Sequence, residues 1–290
     1  MSVILRQWTE PCNTSYGGES GHMRFCDTHA HYDDKAFDAD RECLLGGGLR
    51  DEGVEFVVNM GASLEGAEKS AELAGRYAEV YAGCGIHPDE VGIFGEEGSS
   101  QAASVMMRLR TLLGRPRVVC VGEIGLDYHW MVQPKDVQKT WFAAQLHLAA
   151  ELNLPINVHS REAAQDTFDV IVNHHTRAGR TLSGGIIHCY SGSVEMARTY
   201  VKLGYHIGVG GVVTFKNVRV LKEVVQTLPL ESLVTETDCP YMAPEPVRGT
   251  RNDSRNIRYV IAKIAALRGM DEEACAKVLL KNAKDVYRLS

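Results

Sequence analysis

From Met23 onward, short β-branched runs alternate with longer amphipathic stretches, and the pattern recurs eight times. The strand-like runs fall at about 24–28, 54–59, 79–85, 118–123, 156–159, 185–188, 205–209 and 233–236. A helix-like segment or a long loop separates each pair. In the stretch 136–152, for example, Val137, Phe142, Leu146, Leu148 and Ala149 mark one apolar face. Alternation of this kind lays strands parallel, and a count of eight favours closure. The expected fold is therefore α/β, a TIM (β/α)8 barrel, with an open doubly wound sheet as the other arrangement. Two further helices, about 253–268 and 271–288, end the chain. No repeat or low-complexity linker divides residues 23–290, which read as a single barrel domain. Residues 1–22 are polar, contain Gly and Ser, and lack sustained periodicity; they read as a flexible or vector-derived extension, with Met23 as the natural initiator.

Composition narrows the function. Among 290 residues, 31 Lys and Arg against 37 Asp and Glu give a net charge of −6. That balance excludes indiscriminate charge-driven coating of nucleic acid but leaves room for a local phosphate site. No run approaches the roughly 18 apolar residues of a membrane span. The apolar run Val3-Ile4-Leu5 is too short for a signal peptide. Eight dispersed Cys without a CxxC pair read as buried reduced thiols. The expectation is a cytoplasmic monomer without membrane contact.

Chemistry-bearing residues gather at the strand ends. The first run closes in Asp27-Thr28-His29-Ala30-His31, and residues i and i+2 of an extended segment point the same way, so His29 and His31 can share an ion. The fourth ends at Glu123, the fifth at His159, the sixth at His188, and the eighth runs on to Asp238. In a barrel these C-terminal ends form one rim, where active sites sit. Taken singly, each has an ordinary account: a hydrogen-bonded core histidine, or a cap at Asp238 before the Pro240 turn. Glu123 resists one, because an unpaired buried carboxylate is costly. Four imidazoles and two carboxylates suit a divalent ion, with Zn, Mn and Mg all compatible. Six ligands exceed what one catalytic ion with an open position takes, so Glu123 is expected to bridge two ions and the reaction class is hydrolysis. His87, in Gly85-Ile86-His87-Pro88 just past the third run, is a candidate substrate contact.

The motifs resemble those of the TatD-related metal-dependent deoxyribonucleases, among the amidohydrolase-type barrels. The resemblance is carried by DTHAHYD at 27–33, GIHP at 85–88, GEIGLDY at 122–128, LPINVHSREA at 154–163, HCYSGS at 188–193, GVGGVVTFKN at 208–217 and TETDCPYMAPEPVRG at 235–249. It spans about residues 24–288. It implies a metal-dependent hydrolase barrel with two divalent ions, acting on DNA and removing nucleotides from an end. By resemblance, His29, His31, Glu123 and Asp238 hold one ion, and Glu123, His159 and His188 the other. Asp238 and Glu123 are then the catalytic carboxylates, Asp238 doubling as general base. Cys239 departs from the family, where Ala is more usual, as does the 22-residue leader.

Charge near the rim is consistent with a phosphate substrate. Arg248 and Arg251, in the stretch after the eighth run, are candidates to grip phosphate oxygens, and Arg161 and Ser191, just past His159 and His188, are candidates for further contacts. No broad basic stripe with interleaved aromatics appears, which disfavours extended duplex binding and favours a short single strand or an end. Two competing functions keep the same fold. One hydrolyses another ester, such as a lactone, phosphotriester or aminoacyl ester; the other is an idle scaffold or nucleic-acid binder, which would have no need of Glu123 or Asp238.

Overall fold

Eight strands run parallel in the order of the sequence in the computed structural model, which describes residues 23–177 and 183–290. They are β1 (Phe25–Ala30), β2 (Val54–Gly61), β3 (Val80–Cys84), β4 (Val118–Asp127), β5 (Ile156–Arg161), β6 (Gly185–Ile187), β7 (Tyr205–Val209) and β8 (Leu233–Thr235). Helices α1 (Leu64–Arg76), α2 (Ser100–Leu113), α3 (Lys135–Leu152), α4 (Ala164–Arg177), α5 (Val194–Lys202) and α6 (Val220–Thr227) fill the six connections from β2 to β8. Between β1 and β2 the chain makes only short helical turns, spanning 35–51. After β8 come α7 (Ile257–Arg268) and α8 (Glu272–Tyr287). The expected extension, residues 1–22, lies outside the described residues.

The ring closes between β1 and β8. Thr28 Oγ1 donates to the Thr235 carbonyl (3.0 Å), and Thr235 Oγ1 donates to that of Cys26 (3.2 Å). Past the strand ends, the Asp238 N–H donates to the His29 carbonyl and the His31 N–H to that of Cys239, both at 2.9 Å. The expected barrel is present.

Local chemistry explains the element boundaries. Every β4 residue is buried, as a strand packed on both faces requires. Ser63, Ser99, Ser193 and Asp271 each cap a helix by accepting a backbone N–H of its first turn. The last pair of helices starts later than the periodicity suggests, because Asp253 accepts the Arg255 N–H and winds Ser254–Asn256 into a separate tight turn. The core has two compartments. A large one lies between strands and helices. A smaller one fills the lower, N-terminal half of the barrel with Cys26, Phe56, Val58, Met60, Val119, Cys120, Ile186 and Val234, closed from below by Ala283, Val286 and Tyr287 of α8. Among the described residues six cysteines are free, five of them buried, whereas Cys43 is disulfide-bonded, against the expectation of reduced thiols throughout. Among the described residues no helix is long and apolar enough to cross a membrane.

Candidate metal centre

Above the apolar half, the barrel interior turns ionisable. His29 and His31 leave the end of β1, Glu123 lies within β4, His159 within β5, His188 follows β6, and Asp238 sits three residues past β8 with a positive φ of 59°. Their donor atoms converge. His29 Nε2 and His31 Nε2 are 3.1 Å apart. Glu123 Oε2 lies 3.5 and 3.8 Å from those two nitrogens, and Asp238 Oδ1 lies 3.7 and 3.4 Å away. On the other side, Glu123 Oε1 meets His159 Nδ1 at 2.9 Å and His188 Nε2 at 3.9 Å. Three overlapping groups are each tight enough to hold a metal ion: His29–His31–Glu123, His29–His188–Asp238 and Glu123–His159–His188. Glu123 belongs to the first and the last.

The far side of each ring shows how these donors are aimed. His29 Nδ1 faces the Asn157 Oδ1 acceptor and His31 Nδ1 faces the Met60 carbonyl, both at 2.9 Å, so each Nδ1 carries its proton. In the neutral rings both Nε2 lone pairs therefore face one another at 3.1 Å, an arrangement that needs a cation or a proton between them. His188 Nδ1 lies 3.1 Å from Glu236 Oε1, and His159 Nε2 lies 3.1 Å from Asp127 Oδ2. Such pairs fix ring orientation at metal sites. Asn157, Glu236 and Asp127 were not singled out from sequence. All three lie inside the quoted motifs, but their roles depend on contacts across strands. Two glycines make room. A Cβ on Gly125 (φ +149°) would sit 1.9 Å from the His159 carbonyl oxygen, and one on Gly208 would sit 2.5 Å from Glu236 Oε2.

The electrostatics agree with a cation pocket. Burial opposes charge on His31, but the hydrogen bond and charge of Asp238, with Glu123 behind, raise it to about 10. Burial likewise opposes His159 and His188, which Asp127 with Glu123, and Glu236, raise to about 9. Glu123 is held ionised despite its burial by the surrounding imidazoles, His29 foremost. Burial of Asp238 is outweighed by the hydrogen bond with His31, which keeps its carboxyl low. A divalent ion would take the place of the protons that these imidazoles carry between the carboxylates, so the residues fit a metal. Below them, Asp27 accepts from the His29 and Thr237 N–H groups and from the Thr237 and Ser254 hydroxyls, joining the end of β1 to the segment after β8. Burial raises its carboxyl to about 7.

The remaining candidates scatter around the rim. His87 is nearby: its Nδ1 accepts the Asp89 N–H (3.2 Å), leaving its Nε2–H 4.0 Å from Glu123 Oε1. Burial lowers it to about 4, so it is a neutral donor. With Asp127 and His159 it forms a fourth ligand-like group. Ser191 lines a small cleft with Ser160, His188 and Tyr190. Arg161 is exposed and lies over the Trp130 ring. Arg248 lies over Phe215, also at the surface. Arg251 is committed elsewhere: both terminal nitrogens bind Asp40, one also reaches the Ala36 carbonyl, and the guanidinium covers Phe37. It fastens the post-β8 loop to the β1–β2 connection, where the sequence suggested a free phosphate grip.

The sequence profile described as TatD related DNase matches residues 26–288. The chain belongs to this TatD-related family. Its relatives include the uncharacterised metal-dependent hydrolase YabD of Bacillus subtilis, 38% identical over 91% of this chain and 99% of that one. Another is the uncharacterised metal-dependent hydrolase TatD of Mycobacterium tuberculosis, 33% identical over 91% and 97%. Among solved structures, the TatD homologue YjjV of Escherichia coli superposes with a TM-score of 0.80 at 30% identity, covering 92% of this chain and 99% of its own. A mutant organophosphorus hydrolase, at 12% identity and a TM-score of 0.61, shares the fold. As a TatD-family chain with this donor set, the protein is a metal-dependent hydrolase.

Proposed function

We propose that this TatD-family hydrolase is a deoxyribonuclease that uses two divalent ions, Mg, Mn or Zn, to cleave phosphodiester bonds from an end of a single-stranded DNA. One observation carries the proposal: Glu123 is shared by two facing donor groups, with one oxygen toward His29 and His31 and the other toward His159 and His188. A bridging carboxylate of this kind suits charge compensation on both the attacking and the leaving oxygen of an in-line displacement. The family's description as DNase and the local Arg supply point the chemistry to phosphate.

His29, His31, Glu123 and Asp238 would hold one ion, and Glu123, His159 and His188 the other. When bound, the ions supply Lewis acidity, which polarises the phosphate and acidifies water. Asp238, the more open carboxylate with 23% of its side chain exposed, takes the proton of the attacking water on its Oδ. His87, neutral and donating through Nε2–H, hydrogen-bonds a phosphoryl oxygen without the cost of placing a third charge there. Arg161, Ser191 and Arg248 are the candidates for contacts with the rest of the substrate.

The test is an assay on 5′- and 3′-labelled single-stranded DNA, with EDTA and then with added Mg, Mn or Zn. The expected result is stepwise shortening that EDTA stops and one of the ions restores. Intact DNA in every lane, with turnover of lactone or phosphotriester substrates, overturns it.

A further inference from the structure

The loop after β4 carries an apolar surface that neither the barrel core nor the metal centre uses. Trp130 is 62% exposed, with Met131 and Val132 beside it at 42% and 57%. An exposed indole is poorly placed for stability, yet this one is held firmly. The N–H groups of His129 and Trp130 both donate to Asp127 Oδ1, at 2.8 and 3.0 Å, while the other oxygen of the same carboxylate meets His159 Nε2. The backbone that presents the indole is therefore tied to the carboxylate that aims a metal-facing imidazole. Arg161, two residues after His159 on β5 and so on the same face, brings its guanidinium over the indole at 5.4 Å from the ring centre. Among the described residues no carboxylate pairs with Arg161, unlike Arg251 and Arg255 on the far side of the rim.

We propose that Trp130 and Arg161 form a nucleotide grip at the β4–β5 side of the rim, the indole stacking on the base adjacent to the scissile phosphate and the guanidinium binding that nucleotide's phosphate. The proposal rests on the phosphodiester reading of the metal centre. A cation with no carboxylate partner beside a largely exposed indole is the pairing that single strands require: charge for the backbone, a π surface for any base. Arg161 ends β5 and Trp130 lies three residues past the end of β4, the two strands that carry His159 and Glu123, which sets the grip on the metal-facing side of the rim. Stacking also tolerates any base, so the grip favours strand ends and single strands over a paired duplex, whose bases are already stacked.

Trp130→Ala keeps both backbone N–H groups on Asp127, so metal content and the melting curve should match wild type. KM for a short single-stranded DNA should rise about tenfold, the size of one stacked base, with most of the loss in KM and with Trp130→Phe recovering most of it. Independently, titration of the full chain with a deoxynucleoside 5′-monophosphate should quench tryptophan fluorescence, whereas deoxyribose 5-phosphate should not. The difference against Trp130→Phe isolates the signal, and Trp141 is buried. An unchanged KM in Trp130→Ala, or equal quenching by the sugar phosphate, overturns the grip. Concentration-dependent association that Trp130→Ala abolishes, with KM unmoved, also overturns it and assigns the surface to a second copy of the chain. If wild type cleaves no DNA with any ion, the phosphodiester reading fails and the titration alone decides the grip: quenching by the nucleotide but not by the sugar phosphate retains it, and no quenching removes it.

Discussion

The two halves of the barrel interior are built from opposite materials. Below, Phe56, Val58, Met60, Ile186 and Val234 pack against Val286 and Tyr287, and the interior between the strands is filled by apolar side chains. Above, within the same ring of strands, four imidazoles and two carboxylates crowd together at distances that suit an ion rather than one another. The lower half provides stability that does not depend on any ligand. The upper half places buried carboxylates among imidazole lone pairs and is satisfied only when a cation or protons compensate them. Separating the two tasks along the strand axis lets one fold keep a strained constellation without coming apart.

Breaking the upper half should remove function and leave the fold. Glu123→Gln takes the shared carboxylate from both donor groups. DNA cleavage should drop to background, and the rise in melting temperature that wild type shows on adding metal should largely vanish; at ion concentrations about a hundred times Kd that rise reflects about 2.7 kcal/mol. Retained cleavage with full metal content would contradict the bridging role.

Breaking the lower half should do the reverse. Phe56→Ala leaves a cavity among side chains that cannot all relax and should cost about 3–5 kcal/mol in denaturant titration. At temperatures where the variant is folded, metal stoichiometry and cleavage should stay near wild type. A large loss of metal in the folded variant would mean that the halves are not separable.

A smaller effect sharpens the comparison within the upper half. Asp127→Asn keeps the volume but weakens the acceptor behind His159, and metal affinity measured by competition with a chelator should fall about 10- to 100-fold. Asn157, the neutral counterpart behind His29, is the natural control: if both substitutions act equally, the charge on Asp127 is not what matters.

The smallest expected effect concerns acid. His206, near the start of β7, is pushed below its usual range by burial, which the Glu231 backbone and Asp285 only partly offset, and its Nδ1 has no partner. A group whose folded pKa is depressed gives its full stability above the ordinary value of about 6.5 and loses it as pH falls further. Melting temperatures of wild type should therefore decline between about pH 6.5 and 5 more steeply than those of His206→Gln. Parallel curves would exclude His206 as a source of acid sensitivity.

Much of this was legible in the chain because strand periodicity and strand ends are local signals. All eight runs, the i,i+2 pair of His29 and His31, and the convergence of Glu123, His159, His188 and Asp238 follow from counting and alternation. What stayed hidden depends on partners far away in sequence. Asn157 matters because it meets His29, 128 residues earlier, and Arg251 is occupied because Asp40, 211 residues earlier, lies beneath it. Trp130 was not singled out, since nothing in its neighbours shows that the loop holds it outward.

The seam between β1 and β8 has a consequence in time. His29 and His31 emerge from the ribosome early, whereas Asp238, whose backbone N–H closes onto the His29 carbonyl, is made about two hundred residues later, and Tyr287, which donates to the Thr28 carbonyl from below, later still. A nascent chain that has not reached Asp238 has neither the seam nor the full ligand set. The ligand set of the hydrolase is thus completed only by the closing of the ring.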